Sequence, residues 1–206
     1  MRKKINLTFN ARKTESGKTA SGQDGVLMYL HDFVMWLTGI LLVFLLVFRV
    51  VVVSGPSMEN TLVEGDYLLL INNVFYKEPL RGDIVVISKN SFKNGEPIIK
   101  RVIATDGQWV DIDFESGIVY VNGNPLEETY INTPTNLYEG IDFPLMVDEG
   151  CIFVMGDNRN ASKDSRSPDI GQIDKREILG KGIFLFIPGK DPSCEKQNFS
   201  RIGALS

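Results

Sequence analysis

Residues 33–53 read FVMWLTGILLVFLLVFRVVVV, an apolar run whose only charge is Arg49. At about 1.5 Å per residue, a helix of about 20 such residues crosses the ~30 Å hydrocarbon core of a bilayer. The run therefore predicts a transmembrane helix over 33–53. Trp36 falls where an interfacial aromatic belongs, and Arg49 can snorkel to the headgroups at the other end. Residues 1–32 carry a net charge of +3, whereas residues 50–206 carry 15 basic and 23 acidic side chains, a net of −8. Positive charge on the leading side puts the N-terminus in the cytoplasm and the bulk of the chain on the outer face of the cell membrane, as a single-pass protein. A cleaved signal peptide has a shorter apolar stretch, and a buried core helix is disfavoured by the same length. Residues 1–32 read as a cytoplasmic tail, largely disordered, with Ser, Thr, Gly and Lys concentrated in 1–25.

After the run, residues 54–206 are enough for one domain with its own core. Their signal is β. Asp66–Asn72, Gly82–Ser88, Pro97–Thr105, Cys151–Gly156 and Gly182–Ile187 are short apolar stretches rich in β-branched or aromatic residues. Trp109–Val121 alternates, turns at Glu115-Ser116-Gly117 and returns, which predicts a hairpin. Tyr130–Asp148 reads as an irregular excursion, so about 108–150 is expected to form a small sub-domain or insertion. One short helical turn is expected over Lys175–Leu179. The fold class is thus mainly β, an antiparallel catalytic sheet with a small hairpin sub-domain behind one transmembrane helix.

Composition removes several chemistries. An acidic outer domain argues against nucleic acid as a partner, because phosphate binding relies on clustered Lys and Arg. One histidine and two cysteines, with no CxxC, argue against a zinc site, and no cofactor or metal is expected. Cys151 and Cys194 either form one bridge or are two small buried residues. The single histidine, His31, lies on the cytoplasmic side of the run. A Ser–His–Asp triad in the outer domain is therefore out of reach, and a hydrolase there needs a lysine, a carboxylate or a metal as its activator.

Three segments carry candidate chemistry. Ser54-Gly55-Pro56-Ser57-Met58 follows the apolar run, and its Gly and Pro force a turn that can expose the Ser57 hydroxyl and N–H. An ordinary loop serine fits the same residues. Lys100 and Arg101 sit within a strand, where alternation allows either to face solvent. A lysine held among apolar neighbours is pushed towards the neutral amine, a competent base for a serine. The third segment, Gly156-Asp157-Asn158-Arg159 with Ser162, Asp164, Ser165 and Arg166, has the small polar residues of hydrogen-bonded turns.

Taken together, SGPSMENTL (54–62), RGDIVV (81–86), KRVIATDG (100–107) and GDNRNASKDSR (156–166) resemble the bacterial type I signal peptidases, in order and spacing, over nearly the whole chain from the apolar run onward. The resemblance implies a serine endopeptidase that removes signal peptides from secreted preproteins at the outer membrane face. It implies Ser57 as nucleophile, Lys100 as general base, Ser162 as the residue that orients the lysine, and Asp164 and Arg166 as residues that shape the site. The Ser57 N–H would serve the oxyanion hole, with Gly55 nearby offering no side chain. Substrates would be extended signal peptides with small residues at −1 and −3, in pockets lined by Val53, Met58, Leu62, Ile98 and Ile99; membrane lipid is the other expected partner. The sequence departs from the family pattern at Asn60, usually Pro, and at Ala104-Thr105-Asp106-Gly107, usually glycine-rich. A self-cleaving repressor-type peptidase would lack the apolar run and carry a DNA-binding domain. A non-catalytic relative acting in assembly would be expected to lose the serine or the lysine.

Overall fold

The computed structural model describes residues 22–191 and 194–205, and the chain divides into two compact units, residues 1–42 and 43–206. The part of the expected disordered tail that precedes residue 22 lies outside the described residues. In chain order the elements are α1 (Gly22–Val47), β1 (Phe48–Val52), β2 (Tyr67–Asn72), β3 (Ile84–Ile87), β4 (Ile98–Thr105), β5 (Trp109–Asp113), β6 (Ile118–Val121), β7 (Asn124–Pro125), β8 (Leu145–Met146), β9 (Cys151–Met155), β10 (Ile173–Asp174), β11 (Ile178–Ile187) and β12 (Gly203–Ala204), with short 3-10 turns between some of them.

The apolar run does not become one element. Its helix starts earlier than expected, at Gly22, and ends at Val47, while Phe48–Val52 leave it as strand β1. Four consecutive valines favour a strand over a helix, because two heavy atoms on Cβ restrict χ1 against the preceding helical turn. The edge of β2 supplies the partner, with Phe48 opposite Ile71 and Val52 opposite Tyr67. Asn72 closes the helix end by donating its side-chain amide to the Leu46 carbonyl at 3.3 Å. The portion Gly25–Val47 is long and apolar enough to cross a membrane, and its most apolar stretch buries nothing against the protein.

Two antiparallel sheets make up the rest. The larger runs β1-β2-β11-β3-β4-β9-β10, and β12 pairs with β11 beyond the end of β3. The smaller runs β7-β6-β5-β8, so the expected hairpin is its centre. Strand β11 begins at Ile178 rather than at 182, and Asp174 and Glu177 form a capping box on the short turn before it. One apolar cluster holds Val53, Met58, Leu62, Leu68, Leu70, Ile84 and Ile99. A second joins Ile103, Phe153 and Met155 of the large sheet to Val110, Ile112, Val119 and Val121 of the small one. The two cysteines are neither bridged nor both buried: Cys151 is half-buried at the start of β9 and Cys194 is exposed.

Candidate active site

The segment after β1 is fixed by its backbone. Val53 N–H donates to Asp66 O at 2.8 Å, and Gly55 takes φ +84°, a left-handed conformation that favours glycine. Leu62 N–H donates to Met58 O at 2.8 Å, closing a tight turn behind Ser57. Asn60 has φ +67°, which asparagine tolerates better than most residues. A proline, with φ locked near −65°, could not occupy position 60 of this loop.

Strand β4 carries Lys100 and Arg101 to opposite faces and buries both, at 3% and 1% exposure, so neither of the alternation options for a solvent-facing residue is realised. Lys100 Nζ donates to Ser57 Oγ at 2.8 Å and to the Ile99 carbonyl at 3.0 Å. The serine hydroxyl and the lysine amine therefore meet, 43 positions apart in the chain. Arg101 grips the Asp157 carboxylate with Nε and Nη2, each at 2.9 Å, and lies 4.0 Å from the centre of the Tyr130 ring.

The loop after β9 holds the Ser57 turn from its other side. Asn158 N–H donates to Ser57 O at 3.1 Å, its side-chain amide donates to Pro56 O at 3.1 Å, and Thr61 Oγ1 donates to Asp157 Oδ2 at 2.5 Å. Ser162 is buried and donates its hydroxyl to Asp164 Oδ2 at 2.9 Å. The same carboxylate accepts from Gly156 N–H and from Arg166 Nε and Nη2. Gly156 packs so closely that an added Cβ would collide with both the Ser162 side chain and the Ser57 carbonyl. One glycine thus marks the point where the Ser57 turn and the Ser162 loop converge.

A cleft of about 470 Å³ opens over Ser57 and Lys100, walled by Val51, Val52, Ile98 and Ile99, with Phe92 and Lys163 also on its lining. Of the five residues expected to line substrate pockets, Ile98 and Ile99 are on this wall. Val53, Met58 and Leu62 are packed in the apolar cluster beneath it, at 3%, 1% and 0% exposure. Two residues of the edge strand β1, Val51 and Val52, line the opening as well. Gly55 lines the cleft, and the Ser57 N–H makes no backbone hydrogen bond among the described residues.

Several contacts of the arrangement carry no signature in the sequence. Arg159 is fully buried and pairs with Glu128 through Nη1 and Nη2, and donates to Thr135 Oγ1 at 2.7 Å. Arg166 is fully buried and meets Glu139 as well as Asp164. Glu139 comes from the irregular excursion and Glu128 from the residues just before it, where nothing distinguishes them from other surface acids. Arg101 and Asp157 stand inside the segments singled out from the sequence, yet only folding pairs them.

A family model described as signal peptidase, peptidase S26, matches residues 26–187. Signal peptidase I of Bacillus licheniformis is 33% identical over 179 residues, covering 83% of this chain and 94% of the relative. Signal peptidase I of Bacillus caldolyticus is 38% identical over 159 residues, covering 71% and 83%. The probable signal peptidase I-1 of Synechocystis is 37% identical over 144 residues, covering 66% and 69%. The crystal structure of a signal peptidase I from Enterococcus faecalis aligns with a TM-score of 0.42 at 33% identity, covering 51% of this chain and 97% of that one.

Proposed function

This chain belongs to the signal peptidase family, peptidase S26, and from that premise we propose that it cleaves preproteins with Ser57 as nucleophile and Lys100 as general base. Membership establishes the coarser statement, a serine peptidase of the signal peptidase I type that removes signal peptides. The observation that carries the finer one is the 2.8 Å contact between Lys100 Nζ and Ser57 Oγ at the floor of an apolar cleft. That distance is within reach for direct proton transfer.

In the proposed cycle, neutral Lys100 takes the Ser57 proton as Oγ attacks the carbonyl that ends the signal peptide. The Ser57 N–H faces the oxyanion, and one such donor is typically worth about 3 kcal/mol of transition-state stabilisation. The Lys100 ammonium then gives its proton to the departing amine of the mature protein, leaving an ester on Ser57. Lys100 next takes a proton from water as the hydroxide adds to the ester, then returns it to the departing Ser57 Oγ. That restores the neutral amine and the hydroxyl, while the signal peptide leaves as a carboxylic acid that ionises in solvent. Ser162 positions the site from the far loop, tied to Asp164 and Arg166. Val51, Val52, Ile98 and Ile99 leave shallow apolar space that suits an extended peptide with small residues at −1 and −3, added alongside the sheet edge. Helix α1 anchors the enzyme in the lipid, with the basic N-terminus in the cytoplasm and the sheets outside.

The test uses full-length protein in detergent and a preprotein with Ala at −1. Ser57→Ala and Lys100→Met should each lower cleavage by about 100-fold or more, while thermal unfolding remains cooperative. Cleavage by folded Lys100→Met at a rate near that of the parent would rule out the lysine as base.

A further inference from the structure

The excursion between β7 and β9 is more than a connection. It sends two carboxylates to buried arginines of the loop that carries Ser162: Glu128 to Arg159 and Glu139 to Arg166. The pairs differ in quality. Glu128 binds Arg159 with both oxygens. Glu139 Oε1 lies 3.0 Å from Arg166 Nη2 as an ion pair, but the angle forms no hydrogen bond, and that oxygen is buried without one. Arg166 in turn donates Nη2 to the Arg159 carbonyl at 2.7 Å and the Ser162 carbonyl at 3.3 Å, and grips Asp164, which accepts from the Ser162 hydroxyl. Its backbone carbonyl accepts from Ile141 N–H at 3.2 Å, two residues beyond Glu139. Every step from Glu139 to Ser162 is therefore a direct contact.

We infer that Glu139 is a positioning residue for the proposed dyad, its carboxylate holding Arg166 and, through it, the Ser162–Asp164 turn against the Ser57 loop. This rests on the Ser57–Lys100 reading above. The charged groups that face Glu139 are Arg166, Asp164 and Lys163 on the catalytic loop, and Lys163 is paired with Asp169 on the rim. Along its own segment, Asp142 is engaged by the Tyr138 hydroxyl. Burial, then the Asp164 charge, push the Glu139 carboxyl up to about 7, against the opposing pull of Arg166. The ionised clamp therefore forms as pH rises through the neutral range and is lost below it. For stability the sign is reversed. A carboxyl raised in the folded state favours folding most fully below its unfolded value of about 4.3, and that contribution is lost as pH rises through about 7.

The experiment compares the full chain with Glu139→Gln and Glu139→Asp on a preprotein, measuring kcat and KM over roughly pH 5.5 to 9. The parent should show an inflection in kcat near neutral pH. Glu139→Gln should lack it and lose about 5- to 10-fold in kcat at the alkaline end with KM little changed, and Glu139→Asp should recover part of the loss. In thermal unfolding, the Gln variant should gain relative to the parent as pH rises through neutrality. A Gln profile that superimposes on the parent's, or an unfolding difference independent of pH, overturns the inference. Ser57→Ala in the same assay separates the two readings. If it is dead while Glu139→Gln matches the parent, only the positioning role fails; if it still cleaves, the dyad itself fails.

Discussion

Gly156 has no room for a methyl group, since Ser162 and the Ser57 carbonyl occupy the space. Gly156→Ala should therefore separate the two loops and cut cleavage by about 100-fold, a displacement of about 1 Å being enough; parent-like kcat/KM would show that the contact relaxes harmlessly. Asp157 sits at 0% exposure and neutralises Arg101 through two hydrogen bonds. Asp157→Asn would leave a buried guanidinium without its countercharge, at a cost of about 3–5 kcal/mol, to be read by urea unfolding at neutral pH. Ser57, Lys100 and Ser162 could be named in the sequence because each stands in a short motif. Glu128 and Glu139 could not, because an acid in an irregular segment is ordinarily solvated and only its burial against an arginine distinguishes it.

At the scale of elements, the division of the apolar run positions the cleft. Helix α1 stops at Val47 and β1 turns the last valines into an edge strand, so Val51 and Val52 become a wall. A span read from composition runs to Val53, because hydropathy does not distinguish a helical valine from a strand valine; the open edge of β2 decides. The strands β2, β3, β4, β9 and the β5–β6 hairpin were legible, as apolar stretches between turn residues. The two-residue strands β7, β8, β10 and β12 were not, since so short a pairing has no periodicity. Phe153 in β9 reaches the core beneath the small sheet, edge-on to Phe143 with ring centres 5.8 Å apart. Phe153→Ala should destabilise the protein by about 3–5 kcal/mol, lowering the denaturant midpoint with the slope unchanged; a loss below about 1 kcal/mol would mean the sheets close over the gap.

At the scale of the molecule, the chain joins a helix whose most apolar stretch buries nothing to a β unit with its own clusters. A chain starting at residue 43 should fold with the far-ultraviolet signature of a β protein and cleave a soluble peptide, while losing its association with detergent or vesicles. Failure to fold would mean that the sheets need the helix. In the intact protein, protease added outside sealed right-side-out vesicles should reach the residue 73–81 loop, and the same protease should spare it in inverted vesicles. The opposite pattern would reverse the proposed orientation.

The sequence by itself determined the family, an apolar run long enough to cross a membrane and the β character, and through the family motifs it named Ser57 and Lys100 as the pair to expect. These depend on local properties: hydropathy, β-branching, motif spacing and the confinement of the lone histidine to the leading segment. Tertiary structure alone decided where the helix ends, that Lys100 and Arg101 are both buried, which valines face the cleft, and which acids hold the arginines of the Ser162 loop. Those outcomes depend on what lies across a sheet edge or beneath a loop, and the partners are brought there by strand pairing between residues far apart in the chain.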